Sequence, residues 1–497
     1  MNLNETIQAL SVGLPEEIAR LKAAGYYTQA IAQIDALLAE DWTAAQNAPE
    51  AQGLPAACCP KPENPMPSLP DALRACLLAN REQMRRLPAD YPFDRAMALD
   101  KLMRNVAGFS ESEFDVLLRA QRLDWRFVEG RQCFARRFYE SLLDTDEGYA
   151  ARAGQPLATE KRRRQHEAIL RMEKNGVQKA KIRLRLTLRP TEEAFQKALA
   201  AAKAAGRDKV KARFWLPLPA ACPAQSEIEL VRFSAQPTAA APEDAPQRTA
   251  FWEMEWAENG SVSVEFSYVQ TALYTNPLVP PETRRSPDFL PPAQYLGEQL
   301  PHIRFTPYLR ALTEQLVCGA LTQAEKAKRI YDYITLNVHY RYMPAYFVLE
   351  DIAENCARSR RGDCGVQALT FITMCRIAGI PAAWQSGLSV SAERAGCHDW
   401  AMFYLEEAGW LYADCSFGGS SARAGDEERR LHYFGSLDAG RMAANRAFEA
   451  PLAPPKESWR ADPYDNQSGE AELEGIGLVH DEYETEMTVL EFTALDE

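Results

Sequence analysis

Arg361-Gly362-Asp363-Cys364-Gly365-Val366-Gln367-Ala368-Leu369 sets a cysteine at the start of an apolar helical pattern that continues through Ile372, Thr373, Arg376 and Ile377. A thiol at a helix N-terminus meets unpaired amides and the positive end of the macrodipole, and both lower its pKa. Downstream, Gly396-Cys397-His398-Asp399-Trp400-Ala401-Met402-Phe403-Tyr404-Leu405 reads as a loop running into a strand. Gly409-Trp410-Leu411-Tyr412-Ala413-Asp414 reads as the next strand, and a hairpin around Glu406-Glu407-Ala408-Gly409 brings Asp414 beside His398. A nucleophilic thiol needs a base and a third group to orient that base. Cys364, His398 and Asp414 supply those roles in that order. Asp399, next to His398, competes with Asp414 as orienter.

Taken singly, a cysteine is more often a small buried hydrophobe and a histidine a structural residue. Zinc is the sharper rival, because Cys356, Cys364, Cys397, His398 and Cys415 are near in sequence. No C-x-x-C pair occurs among them, which speaks against a structural zinc site. No calcium-loop signature is present, so no metal or other cofactor is expected.

Arg-Gly-Asp-Cys-Gly at 361–365, Arg376-Ile377-Ala378-Gly379-Ile380-Pro381-Ala382, His398-Asp399-Trp400 and Gly409-Trp410…Asp414 together resemble the bacterial transglutaminase-like superfamily. Ala327-Lys328-Arg329-Ile330-Tyr331-Asp332-Tyr333-Ile334…Val338-His339-Tyr340 is similar to the helix that precedes the catalytic helix there. The resemblance spans about residues 290–435. It implies a papain-like α+β core with Cys364 as nucleophile, His398 as base and Asp414 as orienter. It leaves the reaction open among cross-linking, deamidation, peptide hydrolysis and no activity.

The length of 497 residues allows several domains, and the net charge of −13 argues against nucleic acid or an anionic membrane as partner. The basic run Lys161-Arg162-Arg163-Arg164 reads as the solvated face of a helix or linker. Met1-Asn2-Leu3-Asn4-Glu5-Thr6 shows no basic region before an apolar core, and no apolar stretch is long enough to span a membrane. The eleven scattered cysteines are therefore expected as reduced thiols in the cytoplasm.

The expected architecture is α+β and multidomain. Residues 1–150 read as a helical N-terminal domain: Ile18, Leu21, Tyr26, Ala30, Ile31, Ile34, Leu37 and Leu38 recur at helical spacing, with Gly25 as a break. A proline-rich loop is expected over 41–70, and Ser110 as a helix N-cap before a small hairpin turning at Glu129-Gly130. Over 175–275 the period changes to two. Ile182, Leu184, Leu186 and Leu188 alternate with charged residues, which predicts an antiparallel, sandwich-like β domain interrupted by one helix, Thr191–Gly206. Prolines over 277–292 mark a link into a catalytic core at 285–435. After Asp414 the chain reads as irregular through Gly418-Gly419-Ser420-Ser421. The extension 436–497 includes a polar, turn-rich stretch at Arg460–Gly469 and a terminal strand around Met487–Phe492.

The chemistry expected is thiol-dependent acyl transfer or hydrolysis on amide bonds of a peptide or protein substrate. The Cys364 N–H is one expected oxyanion donor, with Asn337, Tyr340 and Tyr342 as candidates for the second. Trp384, Trp400 and Trp410 read as core more than as groove walls. Hydrolysis or deamidation is slightly favoured over cross-linking on grounds of access. A different class of function is a non-catalytic protein-binding scaffold, since much of the chain lies outside the core.

Overall fold

The structure is a computed structural model that describes residues 3–46, 69–155, 159–279, 292–479 and 481–495. Most of the expected loop at 41–70 and of the proline-rich link lies outside the described residues. Residues 41–46 are helical, because neither glycine nor proline interrupts the helix Tyr27–Gln46. The chain forms two compact units, Met1–Pro156 and Leu157–Glu497.

The first unit is mainly helical, with a small antiparallel sheet of Phe93–Asp94, Arg131–Phe134 and Trp125–Val128. Gly25 separates the helices Glu16–Ala24 and Tyr27–Gln46 at φ +81°, and a Cβ there would lie 2.2 Å from the carbonyl oxygen of Phe127. Only glycine satisfies both the left-handed backbone and that approach. Ser110 caps its helix in a full capping box: its Oγ accepts from the Glu113 N–H at 3.3 Å, and Glu113 accepts from the Ser110 N–H at 3.2 Å.

The second unit opens with helix Thr159–Asn175, which carries the basic run. A two-sheet β structure follows, built on β1 (Val177–Pro190), β2 (Val210–Pro217), β3 (Gln225–Phe233), β4 (Thr249–Trp256) and β5 (Val262–Leu273). β1 pairs antiparallel with β5, placing Ile182, Leu184 and Leu186 opposite Tyr268, Phe266 and Val264. All six are buried against Phe214 and Leu216 of β2. Each such side chain contributes about 1.5–3 kcal/mol of burial. The intervening polar residues face outward, and Glu265 takes both Arg183 and Arg185. The interrupting helix is Glu192–Ala204, with Thr191 as its cap.

Around the expected site stand α1 (Gln323–Asn337), α2 (Cys364–Ile377), β6 (Ala382–Val390), β7 (Ala395–Leu405), β8 (Gly409–Ala413), α3 (Cys415–Arg423) and β9 (Arg441–Asn445). The sheet order is the short strand Phe434–Gly435, then β8, β7, β6 and β9, all antiparallel. Helix α2 is buried at every position from Gly365 to Arg376, not along one stripe. Its Thr370 and Thr373 hydroxyls are tolerated inside because they return 2.7 Å bonds to the carbonyls of Val366 and Leu369.

Residues 415–423 form helix α3, not the irregular segment expected. Its glycines allow close approach to α1: a Cβ on Gly418 would stand 2.0 Å from the Tyr331 hydroxyl. Cys415 consequently begins a helix and is buried.

The C-terminal residues return to the sandwich. β10 (Glu470–Leu473) adds beside β2 in one sheet, and β11 (Tyr483–Leu495) runs along β1 in the other. Gln225 joins the sandwich to the second sheet: its amide donates to the Ala443 carbonyl at 2.9 Å and accepts from the Ala443 N–H at 3.0 Å.

Candidate active site

Cys364 is the first residue of α2, capped by Asp363, whose Oδ1 accepts from the Val366 N–H at 3.2 Å. The same Asp363 oxygen accepts from the Tyr346 hydroxyl at 2.7 Å, and that hydroxyl accepts from the Gly365 N–H at 3.0 Å. The helix start is thus braced by a tyrosine with no place in the sequence reading. The thiol retains partial solvent access and donates to Asp399 Oδ2 at 3.2 Å. Burial, then the carboxylates of Asp399 and Asp363, raise its pKa well above the ordinary thiol value. This corrects the expectation of a lowered pKa. Burial first, and then the nearby carboxylates, outweigh the helix dipole, whose influence is only a fraction of a unit charge.

His398 and Asp414 come together as the hairpin requires. Ala401 of β7 faces Ala413 of β8, and one residue beyond the strand Asp414 accepts or shares the His398 Nε2 proton at 2.6 Å. Both side chains are buried. Asp414 also caps α3 through the Phe417 N–H at 2.9 Å and takes the Arg441 Nη2 at 2.9 Å. Burial alone raises the Asp414 carboxyl, but the charge and hydrogen bond of His398, with Arg441, outweigh it and hold the pKa down to about 2. Asp414 is therefore an ionised partner held from three sides. The His398 ring also packs at 4.5 Å on Phe417.

Asp399 does not take the orienter position beside His398. Its carboxyl turns to Cys364, to Tyr346 at 3.2 Å and to the Gln467 amide. One tyrosine proton serves one carboxylate at a time, and both carboxylates are buried. Burial lifts Asp363 to about 6; burial and Asp363 lift Asp399 to about 7. Below neutrality the pair therefore holds at least one proton next to the sulfur.

Gln467 lies in the turn-rich stretch Arg460–Gly469, which packs beside β7: its amide also donates to the His398 carbonyl at 3.0 Å. Asp465 of that stretch is bonded by the Ser386 hydroxyl at 2.5 Å. Nothing in a run rich in polar and turn-forming residues marks it as buried wall. Asn337 is exposed and folds its amide back onto the Tyr333 carbonyl at 2.9 Å, away from an oxyanion role. Tyr340 and Tyr342 stack edge to face, with ring centroids 5.3 Å apart. Trp384, Trp400 and Trp410 are buried, as core residues are. Cys356 and Cys415 are buried in separate helices, and Cys397 is exposed on β7.

Residues 310–415, which hold Cys364, His398 and Asp414, match the family model of the transglutaminase-like superfamily. This segment is a transglutaminase-like core. Its solved structural neighbours include a candidate cysteine protease from Cytophaga hutchinsonii, with 16% identity over 65% of this chain and 92% of that one, at a TM-score of 0.40. They also include the periplasmic domain of TgpA from Pseudomonas aeruginosa, with 14% identity over 50% of this chain and 98% of that one, at a TM-score of 0.25. No curated protein matches the chain. Among the described residues, no helix of this protein is long and apolar enough to cross a membrane.

Proposed function

We propose that the transglutaminase-like core carries out thiol-dependent acyl transfer or hydrolysis on amide bonds of peptide or protein substrates, with Cys364, His398 and Asp414 as its catalytic residues. The observation that carries this reading is the buried 2.6 Å contact between His398 Nε2 and Asp414. It fixes the imidazole so that Nδ1 is the nitrogen left for proton exchange.

In the proposed reaction the Cys364 proton passes to His398 Nδ1 as sulfur bonds the amide carbonyl carbon. The oxyanion is received by the Cys364 backbone N–H. Collapse breaks the C–N bond, and His398 returns the proton to the departing nitrogen, leaving a thioester. Water or an amine then attacks the carbonyl, its proton passes to His398, and the C–S bond breaks with reprotonation of the thiol. The Asp399 proton favours the first step, since a neutral acid beside sulfur tolerates a thiolate better than a carboxylate does. Nine free cysteines among the described residues suit a reducing compartment such as the cytoplasm.

A second reading is a non-catalytic scaffold. It is favoured by the hydrogen bond of the thiol to Asp399 and by the raised thiol pKa. Incubating the protein with a glutamine peptide, with and without a primary amine, separates the readings by mass spectrometry. Acid formation exceeding amine incorporation is expected, on the same grounds of access. Amine incorporation in excess makes the protein a cross-linker, and no turnover at any pH between about 5 and 8 favours the scaffold.

A further inference from the structure

Sites that stabilise an oxyanion gather more than one donor, and the proposed reaction has so far only the Cys364 N–H. Asn337 has turned its amide to the Tyr333 carbonyl, and Gln467 spends its amide nitrogen on Asp399 Oδ1 and on the His398 carbonyl. Asp399 Oδ2, by contrast, stands 3.2 Å from the sulfur. The Asp399 backbone N–H turns to the sulfur too, so the residue is fixed there at two points. Asp399 is buried, while the sulfur keeps partial solvent access. A carbonyl carbon bonded to that sulfur brings its oxygen within about 3 Å of it, inside the reach of Asp399 Oδ2.

The hydrogen bonds around the two acids place the proton that the pair holds. Asp363 receives the Tyr346 hydroxyl at 2.7 Å, the Val366 N–H at 3.2 Å and the Met343 N–H at 3.3 Å, so both of its oxygens act as acceptors. The Tyr346 proton is thereby committed. Its oxygen already accepts from the Gly365 N–H, and at 3.2 Å it can only accept again from Asp399 Oδ2. Asp399 Oδ1 accepts from Gln467. The proton therefore sits on Asp399 Oδ2, the oxygen that faces the sulfur. From the turn-rich stretch Asp462 and Asp465 face Asp399, with Arg460 beside them, while His398, its neighbour in the chain, turns to Asp414. Burial pushes both of those carboxyls up, Asp462 to about 8, so this side of Asp399 favours the neutral acid as well.

We propose that Asp399 is a catalytic residue: as the neutral acid, its Oδ2–H is the second donor to the oxyanion formed on Cys364. The inference rests on Cys364 being the nucleophile. As the sulfur–carbon bond forms, the carbonyl π pair moves to oxygen. That oxygen takes hydrogen bonds from the Cys364 N–H and from Asp399, whose hydroxyl turns to it from Tyr346. The Asp399 proton is shared and not transferred. When the oxyanion collapses, the C–N bond breaks, the nitrogen takes its proton from His398, and Asp399 keeps its own. An ionised Asp399 sets a carboxylate against the oxyanion instead, so the group that assists below neutrality opposes above it.

The test compares two reactions of Cys364 in the full-length protein, both followed by mass spectrometry of the peptide that contains it. Acylation by p-nitrophenyl acetate passes through an oxyanion, and alkylation by iodoacetamide does not. The ratio of the two rates cancels the thiolate fraction. In the wild type this ratio is expected to fall about tenfold or more between pH ~5.5 and pH ~8.5, as Asp399 ionises through about 7. Asp399→Asn, which keeps a donor and cannot ionise, is expected to show no such fall. Asp399→Ala is expected to lower the ratio at pH ~5.5 about 10²–10³-fold, while its alkylation shows that the sulfur is still reached. A flat wild-type ratio, or an undiminished ratio in Asp399→Ala, overturns the proposal. If the variants unfold, the wild-type profile decides alone. A Cys364 that iodoacetamide alkylates but the ester acylates at no pH overturns the acyl-transfer reading itself, and this proposal with it.

Discussion

The Cys364 thiol donates to Asp399 at 3.2 Å, while the neighbouring His398 turns to Asp414 at 2.6 Å. Two adjacent residues of one strand thus take different partners. One presents an acid to the sulfur, and the other presents a base anchored by a buried, ionised aspartate.

Asp399→Asn tests the acid. As pH rises through about 7 the Asp399 carboxyl ionises and places a negative charge at the sulfur. Alkylation of Cys364 at pH ~8 is expected to be about tenfold faster in the variant, with the two proteins converging near pH ~5. The stability sign follows from the same shift. The folded carboxyl stays protonated to about 7, whereas the unfolded one ionises near ~3.9. Wild-type stability therefore falls across that window and the variant lacks the fall. Equal alkylation rates at every pH refute the role given to Asp399.

Asp414→Asn tests the anchor. Turnover of a glutamine peptide is expected to drop about 10³-fold or more, with substrate binding little changed. Because the folded Asp414 is held down to about 2, its contribution is present above the unfolded value of ~3.9 and is lost as pH falls toward ~2. The variant is expected to lack that acid-side slope. It should also lose about 3 kcal/mol near neutral pH, measured by urea unfolding, because Arg441 gives up one of its buried partners.

Gly418→Ala probes the contact of α3 with α1. The added carbon would meet the Tyr331 hydroxyl at 2.0 Å and Thr335 Cγ2 at 2.9 Å, so a destabilisation of about 1–3 kcal/mol is expected in urea unfolding. Gly396→Ala, whose Cβ has nothing within 4 Å, serves as control and should change stability by less than about 0.5 kcal/mol.

Deleting residues 481–497 removes β11 and uncovers the full edge of β1, with its alternating Leu and Ile residues. Tyr483 would also leave the Gly469 carbonyl, which it now meets at 2.9 Å. The shortened chain is expected to aggregate on expression, visible by size-exclusion chromatography. A soluble monomer with unchanged thermal unfolding would contradict the part given to the terminal strand.

Periodicity in the sequence was enough to read β1: with every second residue apolar from Ile182 to Leu188, one face must be covered wherever the strand is placed. The hairpin that carries Asp414 to His398 was legible for a similar reason, since the turn length sets which residues meet. Helix α2 was legible as a helix but not as a fully buried one. Its threonines and Arg376 look solvent-facing until neighbouring backbone carbonyls are in place to receive them, as the Ala382 carbonyl receives Arg376 at 2.8 Å.

Local patterns along the chain determined the elements and the order Cys364, His398, Asp414, because periodicity, caps and turns act over a few residues. Only the tertiary structure decided that Asp399 meets the sulfur, that Tyr346 bridges two acids, and that Gln467, 69 residues beyond His398, closes the wall beside it. Those relations join residues distant in the chain, and their energetics come from burial and from charges brought within a few ångströms. Neither quantity exists until the chain has folded around them.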